Sequence, residues 1–205
     1  MSEIFIAKSQ GRDMLPSVHR YLTVFTAGAL MAVALVSCGP AYVTDLPRVP
    51  ATAQEAALAD AIFQKVAAYR RSRGCGELRR HAGLDALARG HSGFLLANSS
   101  QLELSGSAAS HHGFEQRTLV AQRDYSISHT GENVAVVTRR GEATADFIVN
   151  LWANSPGHDK NLRNSWSSTG IGVVTDPAGK VFVTQMFGSQ VYSSHATTLD
   201  RLRRH

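Results

Sequence analysis

The chain has few cysteines, no membrane-length apolar run and no strong excess of charge, and each shortage excludes a class of protein. Two cysteines in 205 residues are too few for a small domain held together by several disulfides. No predominantly apolar stretch reaches the roughly 20 residues of a membrane-spanning helix. Charged residues make up 18% of the chain and apolar residues 43%, which is typical of a globular domain rather than a disordered segment.

The net charge of +5 is spread over short basic pairs. These pairs are Arg70-Arg71, Arg79-Arg80 and Arg139-Arg140. A mildly basic surface favours anionic partners such as lipid head groups, acidic polysaccharide or nucleic acid. Because no recognised nucleic-acid-binding motif accompanies the charge, the sequence predicts no nucleic-acid partner.

The N-terminal region is predicted to be an export signal. Sixteen residues without a charge, Tyr21 to Val36, follow a basic stretch, as in the apolar core of a signal peptide. The sequence LVSC at Leu35 to Cys38 resembles the bacterial lipobox, in which the cysteine is lipidated and becomes the first mature residue. The alternative is an ordinary secretory signal in which Cys38 is incidental. Either case predicts an extracytoplasmic protein, anchored in the membrane through a lipid or secreted.

Removal of the predicted leader changes the net charge of the chain only modestly. Removal of residues 1–37 takes away three basic and two acidic residues, so the mature charge is +4. Met14 is an alternative start that gives a shorter basic leader.

The segments on either side of the folded domain also have distinct compositions. Residues 38–52 contain several prolines and are predicted to be a tether, while 191–205 form a basic tail. The folded domain is therefore predicted to span residues 53–190.

Local signals predict an α+β domain. Thr52 and Glu55 are spaced as a capping box, which predicts a helix from Ala53 to Ser72. Two segments alternate around the turn PAGK and predict a β-hairpin. The resulting order of helices and strands predicts a layered domain with a mainly antiparallel sheet. The other predicted elements are helices at 83–98, from Gly113 onward and at 142–155, the last ended by Gly157, and a strand at 132–138.

Three residues stand at positions that suggest a site: His111, Glu132 and His158. Two imidazoles and a carboxylate can bind Zn²⁺ or another divalent metal, leaving a position for water. Alternatively, the glutamate orients a histidine or acts as a general base. Pro156 and Gly157 are expected to end a helix and expose His158 toward a cleft. His91 lies on the apolar stripe of a predicted helix and is interpreted as a buried core histidine outside the site.

The segments SHHGFEQR, GENVAV, LWANSPGHDKNL and STGIGVVTDPAGKVFVTQMFG, in this order, resemble the CAP superfamily. This superfamily comprises the cysteine-rich secretory, antigen 5 and pathogenesis-related 1 proteins, and the resemblance is to its bacterial branch. It covers about residues 54–188 and implies an α-β-α sandwich. It also implies a cleft with two histidines, here His111 and His158, and an acidic residue, Glu132. Some members bind zinc or another divalent ion there.

The resemblance leaves several cleft positions open. His112 is the rival of His111 as the first histidine. A second acidic residue is expected in the family cleft, and Glu115 is the nearest candidate, four residues after His111. Asn133 and Asn161 are expected to cap turns and tie the cleft loops together. Cys75 is predicted to be an inert thiol.

Three functions are compatible with this sequence. The first is an exported binding module whose cleft receives a metal, a lipid or sterol, or an envelope polymer. The second is a metal-dependent hydrolase of peptides or glycans, in which the two histidines hold Zn²⁺ and Glu132 activates the bound water. The third is a structural envelope protein with a vestigial site. The sequence leaves the oligomeric state open.

Overall fold

The computed structural model describes residues 6–9, 50–100 and 111–190. The predicted signal segment, Cys38, most of the predicted tether and the basic tail lie outside the described residues, so their assignments stay predictions. Within the described residues, no helix combines the length and the apolar character that crossing a membrane requires.

The described part of the chain contains five α-helices, one short 3-10 helix and five strands. The helices are α1 (Ala53–Ser72), α2 (Ala82–Ala97), α3 (Phe114–Tyr125), α4 (Thr144–Ala153) and α5 (Pro156–Arg163). The strands are β1 (Ile6–Ser9), β2 (Arg79–Arg80), β3 (His129–Thr138), β4 (Ser168–Thr175) and β5 (Lys180–Ser189).

Helix α1 begins and ends where the sequence predicts. The Glu55 amide donates to the Thr52 hydroxyl at 3.2 Å, and the Thr52 amide donates to the Glu55 carboxylate at 3.0 Å. Both free amides at the helix start are thus satisfied. The chain leaves the helix through Gly74, whose φ of +69° is readily adopted by glycine.

One five-stranded sheet runs through the domain in the order β1-β3-β5-β4-β2. All described pairings are antiparallel except that of β2 with β4, so the sheet is mixed but mainly antiparallel. The hairpin predicted around PAGK is confirmed as β4 and β5. Strand β1 pairs with Gly131–Val134. Since β1 falls inside the predicted leader, its removal would leave Gly131–Val134 as the sheet edge.

Helices cover both faces of this sheet. On one face, α1, α4 and α5 pack against it through a core that includes Ile62, Trp152 and Leu162. On the other face, α2 and α3 pack through Leu84, Ala121 and neighbouring side chains. The α-β-α sandwich expected from the sequence is confirmed.

Helix α2 approaches β4 closely at two glycines. A Cβ atom on Gly170 would lie 2.1 Å from the Leu84 backbone, and one on Gly172 would lie 2.0 Å from the Arg89 amide nitrogen. Only residues without a side chain permit this approach, so these glycines fix the position of α2 over the sheet. They also fix His91, which α2 carries.

The prediction that Gly157 ends a helix is wrong. Helix α4 ends at Ala153, and a new helix, α5, begins at Pro156 and includes Gly157. Proline is favoured at the first helical position because its missing N–H has no acceptor there and its φ is already helical. The pair Pro156-Gly157 therefore starts a helix rather than stopping one.

Two other boundaries also differ from the prediction. The helix predicted from Glu142 begins with a 3-10 turn at Gly141–Ala143, and its α-helical part starts at Thr144. Strand β3 begins at His129 rather than at Glu132. Glu132 is therefore the fourth residue of a paired strand, not a residue at its mouth. Its place inside the sheet is what buries it.

Candidate functional site

The carboxylate of Glu132 is the centre of the candidate site. Glu132 has no exposed surface. Arg117 donates to it through two nitrogens, Nε to Oε2 at 2.8 Å and Nη2 to Oε1 at 2.9 Å. His111 Nδ1 lies 2.8 Å from Oε1. The residue therefore forms a buried, bidentate ion pair with Arg117 and a hydrogen bond with His111.

The start of α3 positions both partners of Glu132. Gly113 precedes the helix with a φ of +75°, so the chain turns sharply between His112 and Phe114. Arg117 Nη1 donates to the His112 carbonyl at 2.8 Å, which ties this turn to the same guanidinium that holds Glu132. A Cβ atom on Gly113 would lie 3.2 Å from Nη1. Arg117 thus holds the turn that carries His111.

Opposing effects set the ionisation of this cluster. Burial raises the pKa of Glu132, but the charge of Arg117 and the hydrogen bond from His111 outweigh burial, so the pKa lies below its ordinary value. Burial lowers the pKa of Arg117, and the charge of Glu132 opposes this shift. Glu132 is ionised at neutral pH and can only accept hydrogen bonds. His111 Nδ1 therefore carries the proton that it shares with Glu132.

His91 is buried, as predicted, but it lies beside the site rather than apart from it. Its Nδ1 is 3.0 Å from the Thr184 hydroxyl and 3.8 Å from Glu132 Oε2. Burial lowers the pKa of His91 to about 3, so the ring is neutral at pH 7. Among the residues that the structure describes, nothing forms a hydrogen bond with its Nε2.

Asn133 and Asn161 form a network on the other face of β3. Because neighbouring strand residues point to opposite faces, Asn133 faces α5 whereas Glu132 faces α2 and α3. Asn161 Nδ2 donates to the Glu132 carbonyl and to Asn133 Oδ1, both at 3.0 Å. Asn133 Nδ2 donates to the His158 carbonyl at 3.3 Å. The two asparagines bind α5 to the strand that carries Glu132, rather than capping turns as predicted.

The prediction that His158 is exposed toward a cleft is wrong. The residue is fully buried. It lies in the first turn of α5, and its Nδ1 is 2.8 Å from the Ser155 hydroxyl. The burial follows from the helix that begins at Pro156, because that helix packs against the sheet. The backbone of His158 is tied to Asn133, and the side chain of Asn133 leaves β3 on the face opposite to Glu132.

The contacts of Glu132 bear on the metal site predicted from His111, Glu132 and His158. His111 and Glu132 are in contact, but both oxygens of Glu132 are already held by Arg117 and His111. Within residues 50–100 and 111–190, no group of three or more His, Cys, Asp or Glu side chains is arranged to hold a metal ion. A metal centre with Glu132 as a ligand therefore does not fit these residues.

The other residues considered from the sequence are His112, Glu115 and Cys75. His112 is exposed and stacks on Phe94 with ring centroids 5.0 Å apart, so His111 is the histidine that contacts Glu132. Glu115 is exposed on α3. Cys75 is a free thiol of intermediate exposure, and its Sγ lies 3.5 Å from the Arg163 carbonyl.

Sequence reasoning missed Arg117, although a signal for it exists. Phe114, Arg117 and Ala121 are the buried residues of α3. They recur at spacings of three and four, so an arginine stands on the apolar face of the helix. A buried arginine requires a partner, and a carboxylate in a nearby strand is the best candidate.

Comparisons with known proteins show what this chain is similar to. No curated protein matches the sequence. An outer surface protein of Borrelia burgdorferi has a similar structure, with a TM-score of 0.53 and 20% identity over 69% of this chain and 96% of that one. An extracellular protein from Bacillus anthracis that contains an SCP domain gives a TM-score of 0.50 and 23% identity over 69% of this chain, and this chain spans 45% of that protein.

These two structures share the fold with this chain. The sequence itself matches the model of the cysteine-rich secretory protein family over residues 63–187, which is more than half of the chain. The matched segment runs from α1 to β5 and includes Arg117, Glu132 and both histidines predicted for the cleft. The chain belongs to the CAP, or cysteine-rich secretory protein, family.

Proposed function

We propose that this chain is an exported CAP-domain protein that acts as a metal-independent binding module, anchored to the cell envelope by a lipid on Cys38. The observation that supports metal independence, and that argues against Glu132 as a catalytic base, is that other side chains already contact its carboxylate. Arg117 and His111 occupy both oxygens of its carboxylate. A general base must offer a lone pair to the proton that it removes. The low pKa of Glu132 further weakens it as a base.

The ligand that we propose is an anionic component of the envelope, either lipid head groups or acidic polysaccharide. The net charge of +5, reduced to +4 by removal of the leader, favours such partners. The site offers a preorganised imidazole, since Glu132 fixes the ring of His111. A rigid site binds with a smaller loss of conformational entropy.

Binding of the processed chain to defined surfaces tests this function. Vesicles of phosphatidylglycerol, vesicles of neutral phosphatidylcholine and an acidic polysaccharide serve as probes, each with EDTA or with added Zn²⁺. We expect binding to an anionic probe that persists in EDTA, weakens with salt and is reduced by His111→Ala. A requirement for Zn²⁺ would contradict the proposal. Binding to none of the probes would favour the structural envelope protein instead.

One observation favours hydrolysis as a second candidate. The 2.8 Å contact between His111 Nδ1 and Glu132 is the arrangement by which a buried carboxylate orients a histidine base. In this case His111, not Glu132, accepts the proton, and no step requires a metal held by Glu132. A panel of peptides and glycans in EDTA tests it. Cleavage that is lost in His111→Ala would replace the binding proposal with this one.

The lipid anchor has its own test. Cells that express the full chain are labelled with a fatty-acid analogue, and the Cys38→Ala variant serves as the control. We expect label on the native chain and none on the variant. Equal labelling of both chains, or of neither, would contradict the anchor and favour secretion by an ordinary signal peptide.

A further inference from the structure

The guanidinium of Arg117 lies where a cation that is bound to Glu132 would lie. Its Nε and Nη2 contact the two carboxylate oxygens in the bidentate geometry of an arginine–carboxylate pair, with Nη2 also 2.6 Å from Oε2. A divalent ion that chelates a carboxylate approaches the same two oxygens. The two cations therefore exclude each other.

Arg117 is not a side chain that can readily swing away. Its side chain is 8% exposed, and Glu132 is fully buried. The third nitrogen, Nη1, donates to the His112 carbonyl. Withdrawal of Arg117 would leave a buried carboxylate without a countercharge and would release the turn before α3. Removing one partner of a buried ion pair is strongly unfavourable.

The surroundings of Glu132 nevertheless contain residues that bind metals. His111 contacts one oxygen, and the neutral ring of His91 lies 3.8 Å from the other. Neutral imidazoles and carboxylates are ligands that Zn²⁺ prefers. The positive charge of Arg117, in contact with the carboxylate, repels a second cation from this cluster.

We propose that Arg117 takes the place of a divalent cation in this site, so that the native chain does not use Glu132 to hold a metal. The inference rests on the metal-independent function proposed above and assigns a residue to it. Arg117 is in this respect a positioning residue, because it acts through Glu132 and His111. Its removal is expected to create a metal site where the native chain has none.

Calorimetric titration with Zn²⁺ tests the proposal on four versions of the processed chain: native, Arg117→Gln, Arg117→Lys and the double variant Arg117→Gln with Glu132→Gln. We expect Arg117→Gln to bind Zn²⁺ at least about tenfold more tightly than the native chain, because removal of the guanidinium frees the carboxylate oxygens to coordinate the ion and removes a repelling positive charge. Arg117→Lys restores a cation and should stay close to native. The double variant should lose this increase in Zn²⁺ affinity, because it lacks the carboxylate. A purely structural role of Arg117 would not make the increase depend on Glu132.

Two results would overturn the proposal. One is native affinity for Zn²⁺ equal to that of Arg117→Gln. The other is a loss of about 10- to 100-fold in Zn²⁺ affinity on the single change Glu132→Gln, as expected for a carboxylate that supports a metal-bound histidine. If Arg117→Gln does not fold, Glu132→Gln decides alone, and unchanged affinity supports the proposal. The vesicle experiment in EDTA measures ligand binding without Zn²⁺, so failure of that function is distinguishable from failure of this inference.

Discussion

The two faces of β3 differ in chemistry at adjacent residues. On the face of α2 and α3, Glu132 lies among a guanidinium and two imidazoles. On the face of α5, Asn133 lies in a network of amides and backbone groups. Both residues are fully buried. The first, which we call the charged face, depends on a balance of charges. The second, which we call the amide face, depends on hydrogen bonds between neutral groups. The two faces should therefore respond differently to substitution and to pH.

The two faces are also joined through one residue. Asn161 Nδ2 donates to the backbone carbonyl of Glu132, whose side chain belongs to the charged face. Trp166 Nε1 in turn donates to the Asn161 carbonyl at 2.9 Å. The amide face therefore fixes the backbone from which the carboxylate projects. This division predicts charge-dependent effects on one face and charge-independent effects on the other.

The largest effect is expected for Arg117→Met. The variant leaves Glu132 buried without its countercharge, which costs about 3–5 kcal/mol in the free energy of unfolding. Urea denaturation at pH 7 measures this loss. The double variant Arg117→Met with Glu132→Leu removes both charges and should recover most of the stability. A loss below about 1 kcal/mol for Arg117→Met would show that the ion pair is not the basis of the charged face.

The next largest effect is a loss of stability in mild acid, and we expect His91 to cause it. Its pKa falls from an ordinary 6.5 to about 3 on folding, through burial, with Arg117, His111 and His112 adding to the shift and Glu132 opposing it. Below pH 6.5, His91 therefore binds a proton in the unfolded chain, whereas in the folded chain it stays neutral until the pH approaches 3. The free energy of unfolding should fall by about 1.4 kcal/mol per pH unit from 6.5 toward 3.

The variant His91→Asn serves as the control for this pH dependence. Glu132 has a lowered pKa, so its stabilising contribution is present above its ordinary value of 4.5 and is lost only below it. Urea denaturation between pH 6.5 and 4.5 thus separates His91 from Glu132. An equal slope in the native chain and the variant would show that His91 does not cause the effect.

A smaller effect, independent of charge, is expected for Asn161→Ala on the other face. The change leaves the Glu132 carbonyl and Asn133 Oδ1 without the donor that they share, which costs about 1–3 kcal/mol. Because an asparagine does not titrate, the loss should be the same at pH 7 and pH 5.5. A loss that varies with pH between these values would mean that the two faces are electrostatically coupled.

The smallest effect is expected for Glu115→Gln. Glu115 is exposed and lies on the same helix as Arg117. Exposed substitutions usually change stability by less than about 0.5 kcal/mol. Glu115→Gln and Arg117→Met are therefore a matched pair of variants on α3, and thermal unfolding compares their stabilities. A loss for Glu115→Gln comparable to that of Arg117→Met would restore Glu115 as a member of the site.

Features that depend on neighbouring residues were predicted well from the sequence. The capping box of Thr52 and Glu55 acts over three residues, and the hairpin of β4 and β5 over a four-residue turn. The prediction failed at Pro156 and Gly157, where local signals conflict. Proline can start a helix and glycine can end one, and the packing of α5 against the sheet favoured the start.

The sequence by itself determined most of the local elements, the fold class and, through the family motifs, the expectation that His111 and Glu132 lie in one site. Only the tertiary structure decided that Arg117 neutralises Glu132, that His91 lies beside it, and that α5 contacts the opposite face of β3. The reason is that charge interactions depend on distance through space and on the exclusion of water. Residues 15 positions apart, such as Arg117 and Glu132, acquire that distance and that burial only when α3 packs on the sheet.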